Sequence, residues 1–208
     1  FYRAIGFKLL EGYGMTETAP VVAVRPIKAP VFSCIGTAIR GVNVRVVDME
    51  GNILPKGKKG VLQVKGPTVM KGYYKRPELT DKVLSADGWL DTGDLVIQGV
   101  HGEIKILGRV KDTIVLSGGE NVEPLPIEAK LQESRFIATS VVVGQDQRNL
   151  GALILPNQEE LELWAQENKI QFKDFNELVK KEEVYKLIEN EIRELVNAKN
   201  GFRMFEKI

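Results

Sequence analysis

Residues 11–18 carry the side chains whose types and spacing first suggest chemistry. Their sequence is Glu-Gly-Tyr-Gly-Met-Thr-Glu-Thr, so Gly12 and Gly14 flank Tyr13 and leave the backbone open beside an aromatic ring. Such a ring stacks on a nucleobase, the Thr16 hydroxyl suits a phosphate oxygen, and the Glu17 carboxylate is a hard ligand for Mg²⁺. A motif this short is also, and more often, a strand that ends in a glycine-rich turn.

A second carboxylate follows a glycine within residues 88–95. Asp94 lies between Gly93 and an apolar run that begins at Leu95. A carboxylate at such a place can accept two hydroxyl hydrogen bonds, as from a ribose. It can also cap the backbone of its own turn, and turn chemistry does not distinguish the two interpretations.

A charged segment at residues 108–112 and a glycine pair shortly after it form the third candidate. Arg109 offers a fork of donors to a phosphate or a ribose, and Gly118 and Gly119 remove side chains where a thin ligand can pass. For an isolated motif, a surface salt bridge followed by a turn into a helix is commoner. Residues 108–112 are either a plain loop or a hinge between domains.

The composition excludes several other chemistries. The 208 residues are 43% hydrophobic and 27% charged, an ordinary globular mixture, and 29 basic residues balance 28 acidic ones. Such a balance gives no bulk attraction for nucleic acid. The single cysteine, Cys34, allows neither an internal disulfide nor a cysteine zinc site, and a Ser-His-Asp triad would have to use the single histidine, His101. The sequence contains no transmembrane-length apolar segment and no Walker-type phosphate loop.

The elements that must position these residues differ between the two halves of the chain. Apolar runs, alternation and turn residues predict a β-rich first half. Its expected strands cover residues 6–10, 42–46, 60–65, and a hairpin formed by 95–97 and 104–106. After residue 108 the pattern predicts strands at 113–116, 139–143 and 150–155, and helices at 124–133, 159–167 and 182–197.

The last of these helices has a marked apolar face. Val184, Leu187, Ile188, Ile192 and Leu195 follow the spacing of an amphipathic helix. We therefore expect it to pack on a core with its other face in solvent. A membrane-surface helix would have a basic polar face, whereas this one is rich in glutamate.

Taken together and in order, the motifs resemble those of the adenylate-forming superfamily, which includes acyl-CoA synthetases, luciferase and peptide-synthetase adenylation domains. Tyr13-Gly14-Met15-Thr16-Glu17 is similar to its adenylate-binding motif. Residues 60–66 with 72–80, then 88–95, then 108–128 resemble its following blocks. Within the superfamily, residues 111–116 with 119–124, and 143–148 with 150–157, are most similar to long-chain fatty acid ligases that use CoA or acyl carrier protein.

The resemblance implies an α+β fold in two parts. Residues 1–108 would form the β-rich end of the large AMP-binding domain, and residues 109–208 the hinge and an incomplete small α/β C-terminal domain. It also implies a reaction in which a fatty acid and ATP give an acyl-adenylate and pyrophosphate, with Mg²⁺. A thiol, from CoA or from acyl carrier protein, then displaces AMP. Because fatty acids partition into membranes, peripheral contact with a membrane by a cytoplasmic enzyme is compatible with this reaction, although no residue pattern indicates it.

The resemblance also assigns roles to residues of the first motif. Tyr13 would lie on the adenine, with Gly12, Gly14 and Met15 forming the rest of the nucleotide-binding segment. Thr16 would contact the α-phosphate and Glu17 would hold Mg²⁺, which makes these two the expected catalytic residues of this part.

The later motifs receive roles in the same way. Asp94 would bind the ribose hydroxyls and Arg109 the ribose or a phosphate. Lys111 falls at the hinge residue, where rotation would exchange the faces of the small domain between the two half-reactions. Gly118 and Gly119 would border the pantetheine tunnel.

Two features of the superfamily are not found in these residues. Its Ser/Thr/Gly-rich phosphate loop precedes the adenine motif, and its adenylation lysine lies near the far C-terminus in a motif that Lys207 does not match. We therefore expect this chain to be a fragment that is a poor catalyst alone. A nucleotide-binding module without ligase activity is the alternative of another class.

Overall fold

The computed structural model of the chain describes residues 5–7, 10–26 and 34–208. The chain divides into two compact units, Phe1–Lys111 and Asp112–Ile208, and the fold is α+β. Within the described residues, no helix has the length and apolar character needed to cross a lipid bilayer.

The described residues of the first unit form seven strands and one α-helix. The strands are Gly12–Tyr13 (β1), Ala23–Val24 (β2), Thr37–Ala38 (β3), Asn43–Val47 (β4), Lys59–Lys65 (β5), Leu90–Gln98 (β6) and Ile104–Arg109 (β7), and the helix is Pro77–Val83 (α1). Strands β4 to β7 form an antiparallel sheet in sequence order, and β1 to β3 form a second antiparallel sheet. The strands predicted at 42–46 and 60–65 and the hairpin of 95–106 are confirmed.

Alternation of side chains explains the larger sheet. Val46 pairs with Leu62 and Val44 with Val64 across β4 and β5, and these side chains pack with Val96 of β6 in one apolar cluster. Because a shift of one residue would move this whole set to the opposite face, burial fixes the register.

The smaller sheet includes part of the first motif, residues 11–18, because Gly12 and Tyr13 form its strand β1. Val22 and Ala23 are fully buried, and Tyr13 pairs with Ala23. The buried guanidinium of Arg25 donates from Nε to the Cys34 carbonyl oxygen at 2.9 Å and forms an ion pair with Glu11. These contacts hold the segment around Tyr13 against β2.

The strand predicted at residues 6–10 is wrong where the structure describes it. Gly6 lies in a turn, and the side chains of Phe7 and Leu10 are exposed. Lys8 and Leu9 lie outside the described residues. An apolar run indicates burial only when a partner surface covers it, and the described strand pairing in this segment begins at Gly12.

The second unit contains four strands and four α-helices. The strands are Ile114–Val115 (β8), Asn121–Val122 (β9), Ile137–Val143 (β10) and Gly151–Pro156 (β11), and the helices are Pro124–Leu131 (α2), Gln158–Glu167 (α3), Phe175–Leu178 (α4) and Glu182–Leu195 (α5). β10 pairs with β11 and β8 with β9, both antiparallel. Ile127 and Leu131 of α2 are buried in a core shared with Ile137 and Val142 of β10.

Helix α5 confirms the predicted amphipathic pattern. Val184 is buried, and Ile188 and Ile192 pack against the cores of this unit. Its polar face carries the i,i+4 ion pairs Lys186–Glu182 and Arg193–Glu189, an arrangement typical of a solvated face.

Candidate functional site

Tyr13 and Asp94 meet in the first unit although 81 positions separate them in the chain. The Tyr13 hydroxyl donates a hydrogen bond to Oδ2 of Asp94. Asp94 is only 5% exposed, so its carboxylate requires partners to compensate for lost hydration. Tyr13 and Asp94, which belong to separate sequence motifs, therefore form one cluster.

Arg109 completes this cluster from the neighbouring strand. Asp94 of β6 pairs with Arg109 of β7, and Arg109 Nε lies 3.0 Å from Asp94 Oδ1. The two contacts engage both carboxylate oxygens, each of which has further acceptor capacity. The Arg109 side chain is 60% exposed, so the positive charge of this ion pair lies at the surface of the unit.

An irregularity in β6 aims Asp94 at its partners. Val61 of β5 pairs with Leu95 and Gln63 with Asp91, so β6 uses two more residues than β5 between these pairs. Such bulges redirect side chains and are frequent beside active sites. Gly93 adopts a φ of +70° within the bulge, a left-handed conformation that glycine adopts without steric cost.

The hydroxyl of Thr92 makes two hydrogen bonds at the bulge. It donates to the Leu62 carbonyl oxygen at 2.9 Å and accepts from the Asp94 N–H at 3.1 Å. Thr92 thereby connects the Asp94 backbone to the adjacent strand.

Burial raises the pKa of Tyr13 above its ordinary value. The hydrogen bond to the Asp94 carboxylate and its negative charge raise the pKa further, and Thr92 and Arg109 partly offset these effects. The phenol is therefore protonated at neutral pH and acts as a hydrogen-bond donor to Asp94.

The glycines beside Tyr13 have different surroundings. A Cβ atom on Gly14 would lie 1.4 Å from the Pro20 carbonyl oxygen, whereas one on Gly12 would find its nearest atom, the Ala23 carbonyl oxygen, at 3.5 Å. A glycine is thus required at position 14, because the backbone at Pro20 lies too close for any side chain there. Gly12 is exposed and has room for an ordinary side-chain contact.

Met15, Thr16 and Glu17 lie at a short 3₁₀ turn, Thr16–Thr18, directly after β1. The buried Thr18 hydroxyl donates to the Met15 carbonyl oxygen at 2.9 Å and accepts the Met15 N–H at 3.1 Å. This closed pair of bonds fixes the turn and leaves Thr16 exposed on its surface.

The half-buried Glu17 carboxylate accepts a hydrogen bond from an unexpected partner. The Tyr73 hydroxyl donates to Glu17 Oε1 at 2.9 Å, and this bond raises the pKa of Tyr73. No role for Tyr73 was predicted from the sequence, although Tyr73 lies within residues 72–80 that carried the resemblance. The one sequence signal for a role of Tyr73 was its location within residues 72–80. Its hydrogen bond to Glu17 is evident only in the structure.

In the part of the chain that the structure describes, the residues around Glu17 can hold Mg²⁺ only together with another ligand. Among the described residues no group of three or more His, Cys, Asp and Glu side chains could bind a metal. A single carboxylate nevertheless fits Mg²⁺, which is commonly held by one or two carboxylates and by the phosphates of a substrate.

Lys111, Gly118 and Gly119 lie at or beyond the end of the first unit. Lys111 is exposed in a 3₁₀ turn, Val110–Asp112, and is the last residue of that unit. Gly118 and Gly119 form the turn between β8 and β9, where Gly119 has a φ of +87°. Their assigned parts in hinge rotation and in a pantetheine tunnel stay predictions.

Comparisons with known proteins extend over both units. Residues 1–74 match the model of the AMP-binding enzyme family, and residues 111–198 match that of the AMP-binding enzyme C-terminal domain. A chloroplastic long-chain-fatty-acid–[acyl-carrier-protein] ligase of Arabidopsis thaliana is 49% identical over 171 residues, which are 77% of this chain and 24% of that protein. A long-chain-fatty-acid–CoA ligase of Escherichia coli is 40% identical over 143 residues, 68% of this chain and 25% of that protein.

A solved structure is similar in fold as well. ATP-bound MatB from Rhodopseudomonas palustris is 29% identical, with a TM-score of 0.69 that covers 97% of this chain and 36% of that one. The chain spans about a quarter of the length of the two ligases it matches. The motifs, the fold and the family models agree, and the chain therefore belongs to the adenylate-forming family of AMP-binding enzymes.

Proposed function

We propose that this chain is the C-terminal part of a longer ligase that activates a long-chain fatty acid with ATP and transfers the acyl group to CoA. The proposal is supported by the names of relatives at 49% and 40% identity, both long-chain-fatty-acid ligases. The observation that carries it within this chain is the cluster of Tyr13, Asp94 and Arg109, because it joins an aromatic ring, a buried carboxylate and a guanidinium in one place.

The cluster matches the parts of a nucleotide. The Tyr13 ring offers a stacking surface for adenine, and its hydroxyl orients Asp94. The remaining acceptor capacity of Asp94 suits the ribose hydroxyls. Arg109 supplies positive charge at the surface of the unit for the ribose or a phosphate.

The chemical step requires a better leaving group than a carboxylate provides. An oxygen of the fatty acid carboxylate attacks the α-phosphorus of ATP, the bond to the bridging oxygen breaks, and pyrophosphate leaves. Thr16 donates a hydrogen bond to the α-phosphate, and Glu17 would hold Mg²⁺, which neutralises phosphate charge when bound. The acceptor thiol, which has lost its proton to solvent, then attacks the acyl carbon as the thiolate, and AMP leaves with both electrons of the broken carbon–oxygen bond.

The second half-reaction concerns the hinge and the acceptor. Lys111 lies at the boundary of the units. A change in its backbone angles would let the second unit present a different face to the active site in each half-reaction. Gly118 and Gly119 would border the channel for the pantetheine arm. CoA and acyl carrier protein both present that arm, so these glycines do not discriminate between them.

Acyl carrier protein as the acceptor is the second candidate. The observation that favours it is the 49% identity to a ligase named for that acceptor. Thioester formation by one enzyme preparation with CoA and with holo-acyl carrier protein, compared at equal concentrations, separates the two.

Carboxylate-dependent exchange of pyrophosphate into ATP tests the activation step. The assay uses the full-length protein, meaning the longer polypeptide that this proposal implies, with fatty acids from short to long. We expect exchange with long chains and little with short ones. A folded, ATP-binding protein that supports no exchange with any acid would instead be a non-catalytic nucleotide-binding module.

A further inference from the structure

We propose that Tyr73 is a positioning residue for the nucleotide-bound metal ion, acting through Glu17. This inference rests on the proposed function, because it takes Glu17 as the carboxylate that meets Mg²⁺ bound to ATP. Tyr73 itself would touch neither the nucleotide nor the reacting atoms.

Two contacts join the Glu17 turn to the segment that carries Tyr73. The Tyr73 hydroxyl donates to Glu17 Oε1 at 2.9 Å, and the Met70 N–H donates to the Glu17 carbonyl oxygen at 2.8 Å. The first bond constrains the carboxylate and the second constrains the backbone that bears it. Glu17 is therefore held through its carboxylate and through its backbone by residues more than 50 positions away.

Tyr73 is in turn anchored on helix α1. Its N–H donates to Thr80 Oγ1 at 2.9 Å, and the Thr80 hydroxyl donates to the Arg76 carbonyl oxygen at 3.0 Å. A Cβ atom on Gly72 would lie 2.8 Å from Thr80 Cγ2, so the backbone directly before Tyr73 packs closely on the same threonine. Helix α1 thus fixes the position of the backbone from which the Tyr73 side chain extends.

The hydrogen bond leaves the carboxylate suited to a cation. Oε1 accepts the Tyr73 proton, and among the described residues Glu17 Oε2 has no hydrogen-bond partner or ion pair. Carboxylates that bind metals are usually oriented by a hydrogen bond of this kind from a neighbouring side chain, and loss of that neighbour typically weakens metal binding or activity about 10–100-fold.

The position of Tyr73 argues against a purely structural role. Its side chain is 36% exposed, and a hydrogen bond near water contributes little to folding. The neighbouring Tyr74 is 87% exposed and makes no hydrogen bond through its hydroxyl in the described part of the chain. Tyr74 therefore provides a matched control with the same chemistry one position away.

The test is calorimetric binding of a non-hydrolysable ATP analogue to the full-length protein, without fatty acid, in excess Mg²⁺ and in EDTA. For Tyr73→Phe we expect affinity in Mg²⁺ to fall about 10-fold, with affinity in EDTA unchanged. Tyr74→Phe should equal the wild type in both conditions. Because Glu17→Gln removes the group through which Tyr73 acts, adding Tyr73→Phe to it should cause no further loss.

Other results would overturn the proposal in distinguishable ways. If the wild type shows Mg²⁺-dependent binding and Tyr73→Phe shows the same dependence, the positioning role is wrong and the proposed function stands. An equal loss for Tyr73→Phe in Mg²⁺ and in EDTA, or an additive loss with Glu17→Gln, assigns Tyr73 a general structural role instead. A wild type that binds no nucleotide overturns both proposals.

Discussion

Replacing Asp94 by asparagine separates its proposed part in nucleotide binding from its part in folding. The substitution keeps the size of the side chain and an oxygen that can accept the Tyr13 hydroxyl. It removes the negative charge that faces Arg109 Nε at 3.0 Å. The buried position, 5% exposed, means that the lost charge also no longer has to be desolvated.

The cost to folding follows from the two partners. The Tyr13 hydrogen bond changes from a charged to a neutral acceptor, a loss of about 1 kcal/mol. The Arg109 side chain is 60% exposed, so solvent screens the ion pair and its loss costs at most about 1 kcal/mol. Relief of carboxylate desolvation opposes both losses. We expect the free energy of unfolding to fall by less than about 2 kcal/mol.

We expect Asp94→Asn to lose more free energy of nucleotide binding than free energy of unfolding. If Asp94 accepts both ribose hydroxyls, each bond loses its charged acceptor, at about 1 kcal/mol apiece. A total of about 2 kcal/mol weakens ATP binding roughly 30-fold. Asp94→Ala should bind still more weakly and also lose stability, because it leaves the Tyr13 hydroxyl without its acceptor.

Calorimetric titration with ATP and urea unfolding, both on the full-length protein, provide the two measurements. Asp91→Asn is the matched control, since Asp91 lies on the same strand and its Oδ1 accepts the Gly93 N–H at 2.8 Å, a bond that asparagine can keep. Unchanged ATP affinity in folded Asp94→Asn would remove Asp94 from the nucleotide site. So would an equal loss of affinity in Asp91→Asn.

Three further predictions concern the backbone and the half-buried phenol of Tyr13. Gly14→Ala should lower the free energy of unfolding by at least about 2 kcal/mol, because its Cβ would lie 1.4 Å from the Pro20 carbonyl oxygen. Gly12→Ala should change the free energy of unfolding little. Equal effects of the two substitutions in urea unfolding would contradict the packing argument. Lys111→Pro fixes φ at the proposed hinge and should slow thioester formation more than pyrophosphate exchange, so equal loss in both assays would argue against a hinge. Because the pKa of Tyr13 is raised above 10.0 in the folded state, its contribution to stability is complete below pH 10 and declines as the pH rises further. Tyr13→Phe should therefore lose less stability than the wild type between pH 9.5 and 11, and parallel profiles would disprove this linkage.

Regular sheet structure was predictable because its signals are local. Alternating residues around Val44 and Val46 and the turn between residues 98 and 104 correctly indicated β4 and the β6–β7 hairpin. Helix α5 was predictable for the same reason, since its apolar residues repeat at helical spacing over four turns.

Elements without a local apolar pattern were missed. Helix α1 has no buried residue in its seven positions, so it presents no periodic apolar face. Its one available signal was Pro77 at the first turn, a position that proline favours. Helix α4 covers only four residues, Phe175–Leu178, which is too short for a periodicity to be recognised.

The residues of the candidate site could be proposed from the sequence, but the contacts between them could not. Tyr13, Asp94 and Arg109 were each identified from side-chain chemistry and the family resemblance. Their meeting depends on the bulge in β6 and on pairing across 81 positions, and neither leaves a periodic trace in the sequence. The contact between Tyr73 and Glu17 was missed for the same reason.

The most direct test of the central claim follows an oxygen atom through the proposed reaction. The full-length protein is supplied with ATP, Mg²⁺, CoA and a long-chain fatty acid labelled with ¹⁸O in its carboxylate, and the products are analysed by mass spectrometry. If the carboxylate attacks the α-phosphorus, the AMP released by the thiol carries one ¹⁸O atom. Acyl-CoA formation with unlabelled AMP, or with the label in inorganic phosphate, would contradict an adenylate intermediate.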